Sequence, residues 1–291
     1  MSDAAYHWFL PTSGDGRAVG NVVAVEGQAD KAAVRPPSVA YLAQVARAAE
    51  DAGFGAVLTP VGSGCEEPLV LCAAVAQHVQ RLSFLVAFRP GVVHPAWLAH
   101  QAATFQRLTG GRLRLNAVSG GDPLEQASFG DFEEHDGRYA RTEEYLGIFR
   151  RMWDGPFDHD GPRYPVQGAG LRLGGAAMPP IYFGGASPVA ERVAARYADV
   201  VLMWGEPPAQ LRERVERMRA LAETRGRRIR LGLRIHVIAR ESSAAAWDEA
   251  RRLLDAMEPA AITAAQERFA RMDSVGQSRM TALHAGRYDR L

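Results

Sequence analysis

Lysine is almost absent from the 291-residue chain: of 34 lysines and arginines, only Lys31 is a lysine. Schiff-base chemistry and other lysine catalysis are therefore all but excluded, and the bias toward arginine reads as codon composition rather than chemistry. There are only two cysteines, Cys65 and Cys72, too few for a disulfide framework or a four-ligand zinc site; no metal is expected. An excess of one charge is also missing. The 34 basic and 33 acidic residues leave a net charge of +1, so there is no overall basic character of the kind that a nucleic-acid binder uses to neutralise phosphates. No run approaches the roughly 18 apolar residues of a membrane span. The opening MSDAAYHWFLPTSGDG has no charged leader followed by an apolar stretch. No membrane partner is expected, and the cytoplasm is the expected location. What is present, 47% hydrophobic and 23% charged residues, is the composition of a soluble globular protein.

Short apolar runs rich in strand formers alternate with helical patterns. Strands are predicted at Tyr6–Leu10, Ala56–Pro60, Leu82–Phe88, Leu113–Val118, Pro180–Gly184, Asp199–Trp204 and Arg230–Ala239. Helices are predicted at Ser38–Ala52, Pro68–Val79, Pro95–Leu108, Arg138–Trp153, Pro188–Tyr197 and Pro208–Arg225. This alternation implies parallel pairing through βαβ crossovers, and strands apolar on both faces imply a sheet covered by helices. A Rossmann fold would carry its glycine fingerprint after the first strand, whereas here the turn Gly184-Gly185-Ala186-Ser187 follows the fifth. A (β/α)8 barrel is favoured. Polar residues also gather where the strands end, the face from which barrel enzymes build their sites. The sequence reads as one barrel domain with a polar insertion at 120–136, a hairpin at 154–173 and a C-terminal helical segment at 243–285. That segment comprises a helix at Ser243–Met257 and a second helical stretch at Ala260–Leu283, which reads as exposed or partner-facing.

Several residues carry candidate chemistry. Arg234 and His236 lie two apart on the last predicted strand and would project to the same side. Facing inward they would sit at the site, with the arginine requiring a carboxylate or an anionic ligand; facing outward they would pack under a helix. Cys65 follows two glycines just before a helix start, where it is either an inert small hydrophobe or a thiol influenced by helix-end amides. The Phe183–Ser187 turn presents glycines, a hydroxyl and a helix N-terminus with Pro188 at its first position, which suits phosphate or ordinary turn chemistry. His135, Arg138 and Tyr139 cluster at a helix start, either around a phosphate or flavin edge or as a solvated cap. Trp204 ends its strand within WGEPP, where its ring is placed to stack on a planar group.

The segments FLPTSGDGR (9–17), GFGAVLTPVGSGCEE (53–67), LSFLVAFRPG (82–91), QAATFQRLTGGRLRLNAVSGGDP (101–123), PPIYFGGAS (179–187), DVVLMWGEPP (199–208), IRLGLRIHVIARE (229–241) and DSVGQSRMTALHAG (273–286) together resemble the FMNH2-dependent alkanesulfonate monooxygenases. These belong to the bacterial luciferase-like flavin enzymes, and the resemblance runs over essentially the whole chain. It implies a luciferase-like (β/α)8 barrel that receives reduced FMN from an NAD(P)H-dependent FMN reductase. With O2 it would convert an alkanesulfonate to an aldehyde and sulfite. It also implies a homo-oligomer, a dimer or a tetramer. Under this reading Arg234 pairs with the sulfonate or the activated oxygen, His236 gives or takes a proton, and Cys65 tunes flavin or substrate placement. Gly184, Gly185, Ser187, His135 and Tyr139 correspond to positions around the flavin phosphate, Trp204 to an aromatic near the ring, and Ser119 to a further cofactor contact.

Two departures bear on substrate: Ser13 stands where many members have histidine, and CEEPL replaces Cys-Glu-Asp-Ala-Trp, placing Pro68 at the helix start. A third bears on the fold. In the family, a mobile lid and the eighth strand follow the segment resembling HAGRYDRL. A barrel without its eighth strand and lid is therefore expected here, either as part of a longer chain or as an inactive fragment. Alternative functions are a related oxidoreductase acting on a sulfone or using a deazaflavin, and a non-catalytic flavin-binding protein.

Overall fold

The computed structural model describes residues 4–15, 35–257, 259–285 and 287. The strands are β1 (His7–Phe9), β2 (Ala56–Thr59), β3 (Ser83–Phe88), β4 (Leu113–Ala117), β5 (Phe157–His159), β6 (Val166–Ala169), β7 (Ile181–Gly184), β8 (Val200–Trp204) and β9 (Arg230–Arg234). The helices are α1 (Val39–Asp51), α2 (Pro68–Val75), α3 (Pro95–Thr109), α4 (Pro123–Ser128), α5 (His135–Arg151), α6 (Pro188–Tyr197), α7 (Pro208–Glu223), α8 (Ser243–Asp255), α9 (Pro259–Arg271) and α10 (Val275–His284). Proline within the first turn of α2, α3, α4, α6 and α7 starts these helices where its missing N–H costs nothing. Gly110, at φ 67°, closes α3 in the left-handed conformation that glycine adopts without strain.

Seven strands pair in parallel in the order β1-β2-β3-β4-β7-β8-β9, while β5 and β6 form the separate antiparallel hairpin expected at 154–173. The sheet is curled. Leu58 of β2 and Leu202 of β8, well apart in the strand order, belong with Leu85, Tyr182 and Val200 to one cluster on the concave face. His7 of β1 reaches Tyr182 of β7, with Nε2 and the hydroxyl 3.1 Å apart. The opposite face carries Val57, Phe84, Val86, Leu115, Phe183 and Val201, buried under the helices. Each such side chain contributes about 1.5–3 kcal/mol by leaving water. Among the described residues the sheet does not close between β1 and β9.

Three expectations change. The last strand ends at Arg234 rather than 239, because β9 pairs only with β8 and residues 235–240 lie exposed beyond the end of that partner. The polar insertion at 120–136 contains a helix, α4, which Asp122 caps by accepting from the Leu124 amide at 3.2 Å and the Glu125 amide at 3.4 Å. The stretch at 260–283 is two helices, interrupted where the Ser274 hydroxyl accepts from the Gln277 amide at 3.2 Å to cap α10. It also docks on the barrel mouth rather than standing clear of it.

Candidate active site

Alternation along each strand decides which residues point into the barrel. Arg234 pairs in register with Trp204, and two positions earlier Gly232 pairs with Leu202 of the concave cluster. Both Arg234 and Trp204 therefore face inward at the carboxyl end of the sheet. Arg234 is half-buried, and its guanidinium makes no hydrogen bond or ion pair with a described residue. Burial alone lowers its pKa from the ordinary arginine value. An unmatched cation of this kind favours an incoming anion, since the solvation lost on folding has not been replaced. His236 does not share its strand: it lies past the end of β9 and is exposed. Its pKa is still lowered, by partial burial and then by the nearby charge of Arg234, so the neutral imidazole predominates at neutral pH.

On the neighbouring wall, a cradle forms between α5 and the start of α6. The Ser187 hydroxyl accepts from the Ala190 amide at 3.3 Å, and the Tyr139 hydroxyl lies beside it. Burial raises the Tyr139 pKa, so its phenol stays a donor. His135, the first residue of α5, packs edge-on against Tyr139 with ring centroids 5.0 Å apart. Glycine is required at 185, where a Cβ would come within 2.6 Å of the Ala190 methyl and 3.4 Å of the Tyr139 hydroxyl. A Cβ at Gly184 would meet nothing within 4 Å. Neutral hydroxyl donors at the N-terminus of a ten-residue helix suit a phosphate ester. Ser119, at the end of β4, is buried, its hydroxyl 3.1 Å from that of Thr142 on α5.

Cys65 occupies the loop after β2, half-buried, with Thr12, Glu125 and Arg89 around it. Burial pushes the thiol pKa up, with the Glu125 charge adding to the effect, so Cys65 is protonated at neutral pH and is not an activated nucleophile. Ser13 is half-buried in the turn after β1. These two lie in the loops that follow β1 and β2, at the carboxyl end of the sheet.

The structure adds residues that sequence reading missed. Asn116, buried on β4, pairs in register with the concave-face Tyr182, and its side-chain oxygen has no hydrogen-bond partner among the described residues. Arg89, just past the end of β3, pairs with Glu125, while its Nε and Nη1 are buried without partners among the described residues. Polar residues on the inner half of an otherwise apolar strand are the signal that would have found Asn116. Finally, residues 268–279 strap the mouth. Arg268 Nε donates to Asp122 at 2.9 Å, Arg138 Nη2 to Asp273 at 2.7 Å, and the Asp273 amide to the Gly121 carbonyl at 2.8 Å. Arg279 Nε donates at 2.9 Å to the buried Glu206, which also accepts from Arg214 at 3.2 Å.

The sequence model of the luciferase-like monooxygenase family matches residues 6–291. Among solved structures, a riboflavin lyase (RcaE), crystallised with modified FMN and riboflavin, superposes with a TM-score of 0.82 at 17% identity, over 100% of this chain and 80% of its own. A long-chain alkane monooxygenase (LadA) gives 0.80 at 21%, over 100% and 81%. EDTA monooxygenase (EmoA) from Chelativorans sp. BNC1 gives 0.74 at 22%, over 90% and 69%. These identities speak for a shared barrel architecture, and the match of the family model along the chain goes further: the protein belongs to the luciferase-like monooxygenase family.

Proposed function

We propose that the protein is an FMNH2-dependent monooxygenase that cleaves alkanesulfonates to an aldehyde and sulfite. The observation that carries this reading is Arg234, an inward-facing guanidinium without a counter-charge among the described residues, at the mouth of a luciferase-like barrel. A sulfonate supplies the missing charge, and guanidinium geometry favours a two-point contact with its oxygens.

The cradle residues fit FMN. Ser187, Tyr139, His135 and the amides at the start of α6 would hold the phosphate, and the unpartnered Asn116 oxygen offers an acceptor to a ring N–H. Reduced FMN, when bound, supplies the electrons that activate O2. The balance is one alkanesulfonate, O2 and FMNH2 giving aldehyde, hydrogen sulfite, FMN and water. The protein's own residues orient the sulfonate through Arg234, cover the ring with Trp204 and exclude water with the 268–279 strap. His236, neutral and close enough to Arg234 to feel its charge, is placed to exchange a proton at the open side. Cys65 acts through packing and a weak S–H donor. A separate NAD(P)H-dependent reductase would supply FMNH2, and the functional form would be a homo-oligomer.

Ser13 favours a second reading: without an imidazole at that position, a less charged sulfur compound such as a sulfone becomes a candidate substrate. The test is turnover with enzymatically generated FMNH2, O2 and a panel of alkanesulfonates and sulfones, read as sulfite or sulfinate release. Sulfite from an alkanesulfonate supports the proposal. Saturable flavin binding with no product from any sulfonate would refute it.

A further inference from the structure

The barrel has a second polar end. At the amino-terminal end of the sheet, a cavity of about 390 Å³ is bordered by Arg114, Tyr182, Asp199 and Arg230. The strand register explains why these side chains meet. Arg114 pairs with Leu85, Tyr182 with Val200 and Val200 with Arg230, all on the concave face. Leu58, Leu85 and Leu202 line that same face, Leu202 two residues further toward the carboxyl mouth than Val200.

The charges in this cavity do not balance. Arg114 donates only a long 3.4 Å contact to the Tyr182 hydroxyl, and its Nε is buried without a partner among the described residues. The Arg230 side chain forms no hydrogen bond or ion pair with a described residue. His7 stands beside them, Nε2 at 3.1 Å from the same Tyr182 hydroxyl. Its pKa is lowered by burial, and the charges of Arg114 and Arg230 act in the same direction. The one bordering carboxylate, Asp199, is already engaged: it accepts from Arg150 at 2.9 and 3.0 Å and from the Ile181 amide at 2.8 Å. Two guanidiniums and a phenol hydroxyl therefore border a half-open space whose one described carboxylate is engaged elsewhere, with Arg230 reaching it from the exposed rim, an arrangement that favours an incoming anion.

We propose that this amino-terminal cavity binds a tetrahedral oxyanion, as free phosphate or as the phosphoryl end of a small metabolite, at a site separate from the carboxyl mouth. Arg114 and Arg230 supply the charge and Tyr182 a neutral donor. The proposal is independent of the reaction assigned above.

Thermal unfolding and titration calorimetry with inorganic phosphate provide the test, with chloride at matched ionic strength as the reference and saturating FMN present to occupy the cradle. A saturable rise in Tm with phosphate beyond that with chloride is expected. Arg230→Gln, which lies at the exposed rim, and Arg114→Met should each weaken phosphate affinity at least tenfold, whereas Ser187→Ala should leave it within twofold. Glycerol 3-phosphate binding tighter than phosphate assigns the metabolite form, and the reverse assigns the free ion. Equal Tm in phosphate and chloride, or an undiminished response in Arg230→Gln, overturns the site. If Arg114→Met does not fold, Arg230→Gln alone decides.

Discussion

Arg234→Met separates a binding role from a structural one, because the two predict opposite signs. The wild-type guanidinium is half-buried, its pKa is lowered by burial, and it has no ion pair or hydrogen bond to a described residue. Replacement by an unbranched apolar side chain of similar length removes an uncompensated charge and breaks no hydrogen bond or ion pair to a described residue. Stability should rise by about 1 kcal/mol, the lower end of what exchanging buried charge for apolar packing yields, or about 2–4 °C in Tm. Activity should move the other way. Loss of a preorganised charge at the reacting group costs about 3–4 kcal/mol of transition-state stabilisation, a fall of roughly 10²–10³ in kcat/KM. Differential scanning calorimetry and initial rates of sulfite release measure both quantities on one preparation. A variant that loses stability and keeps wild-type turnover would show that Arg234 is part of the scaffold, and the anion-binding argument would fall with it.

Glu206→Gln should destabilise by about 2–3 kcal/mol, because the buried Arg214 keeps only its 3.6 Å pairing with Glu191 and Arg279 loses its carboxylate; urea unfolding within 1 kcal/mol of wild type would contradict this. Hydrogen bonding from Arg279 and the charge of Arg214 hold the Glu206 pKa below the ordinary glutamate range despite burial. Its contribution is therefore fully present above that range and fades as pH falls through the lowered value, so the stability gap between wild type and Glu206→Gln should narrow on acidification below about pH 4. Gly185→Ala places a methyl within 2.6 Å of Ala190 and should cost about 1–3 kcal/mol, with FMN affinity by fluorescence quenching falling at least tenfold; unchanged affinity would remove the cradle from the flavin site. Cys65→Ser should retain more than about a tenth of activity, since the thiol is held protonated, and its kcat should follow the same pH profile as the wild type between pH 6 and 8. A loss beyond a hundredfold would make the sulfur itself essential.

The parallel sheet was legible because its strands are apolar on both faces and each is followed by a helix with its own start signal, as with Ser38 before α1 and Ser187 before α6. Strand seven was overextended for the same reason: LRIHVIA alternates and is rich in β-branched residues, but propensity does not supply a hydrogen-bonding partner beyond Trp204. The cradle was readable from glycines, a hydroxyl and Pro188 packed into one turn. The neighbourhood of Cys65 was not, since Glu125 and Arg89 reach it from 60 and 24 residues further along the chain. Nor was the strap, which joins residues as far apart as Asp122 and Arg268 through side chains that each look like ordinary solvated charges.

The strap also bears on the order in which the molecule comes apart. Arg138 and Asp273 are separated by 135 residues and Asp122 and Arg268 by 146, and neither α8 nor α10 buries a single side chain fully. Contacts so distant in sequence and so thinly backed by apolar area sit at the low end of a protein's ladder of opening free energies. Amide protons of α10 should therefore exchange long before those of β3 or β4, through an excursion that uncovers the mouth while the barrel stays folded. The rate at which the site meets water is then set by a few largely buried ion pairs, which salt screens only weakly, so substitution of Arg268 or Asp273 rather than ionic strength is the means of adjusting it.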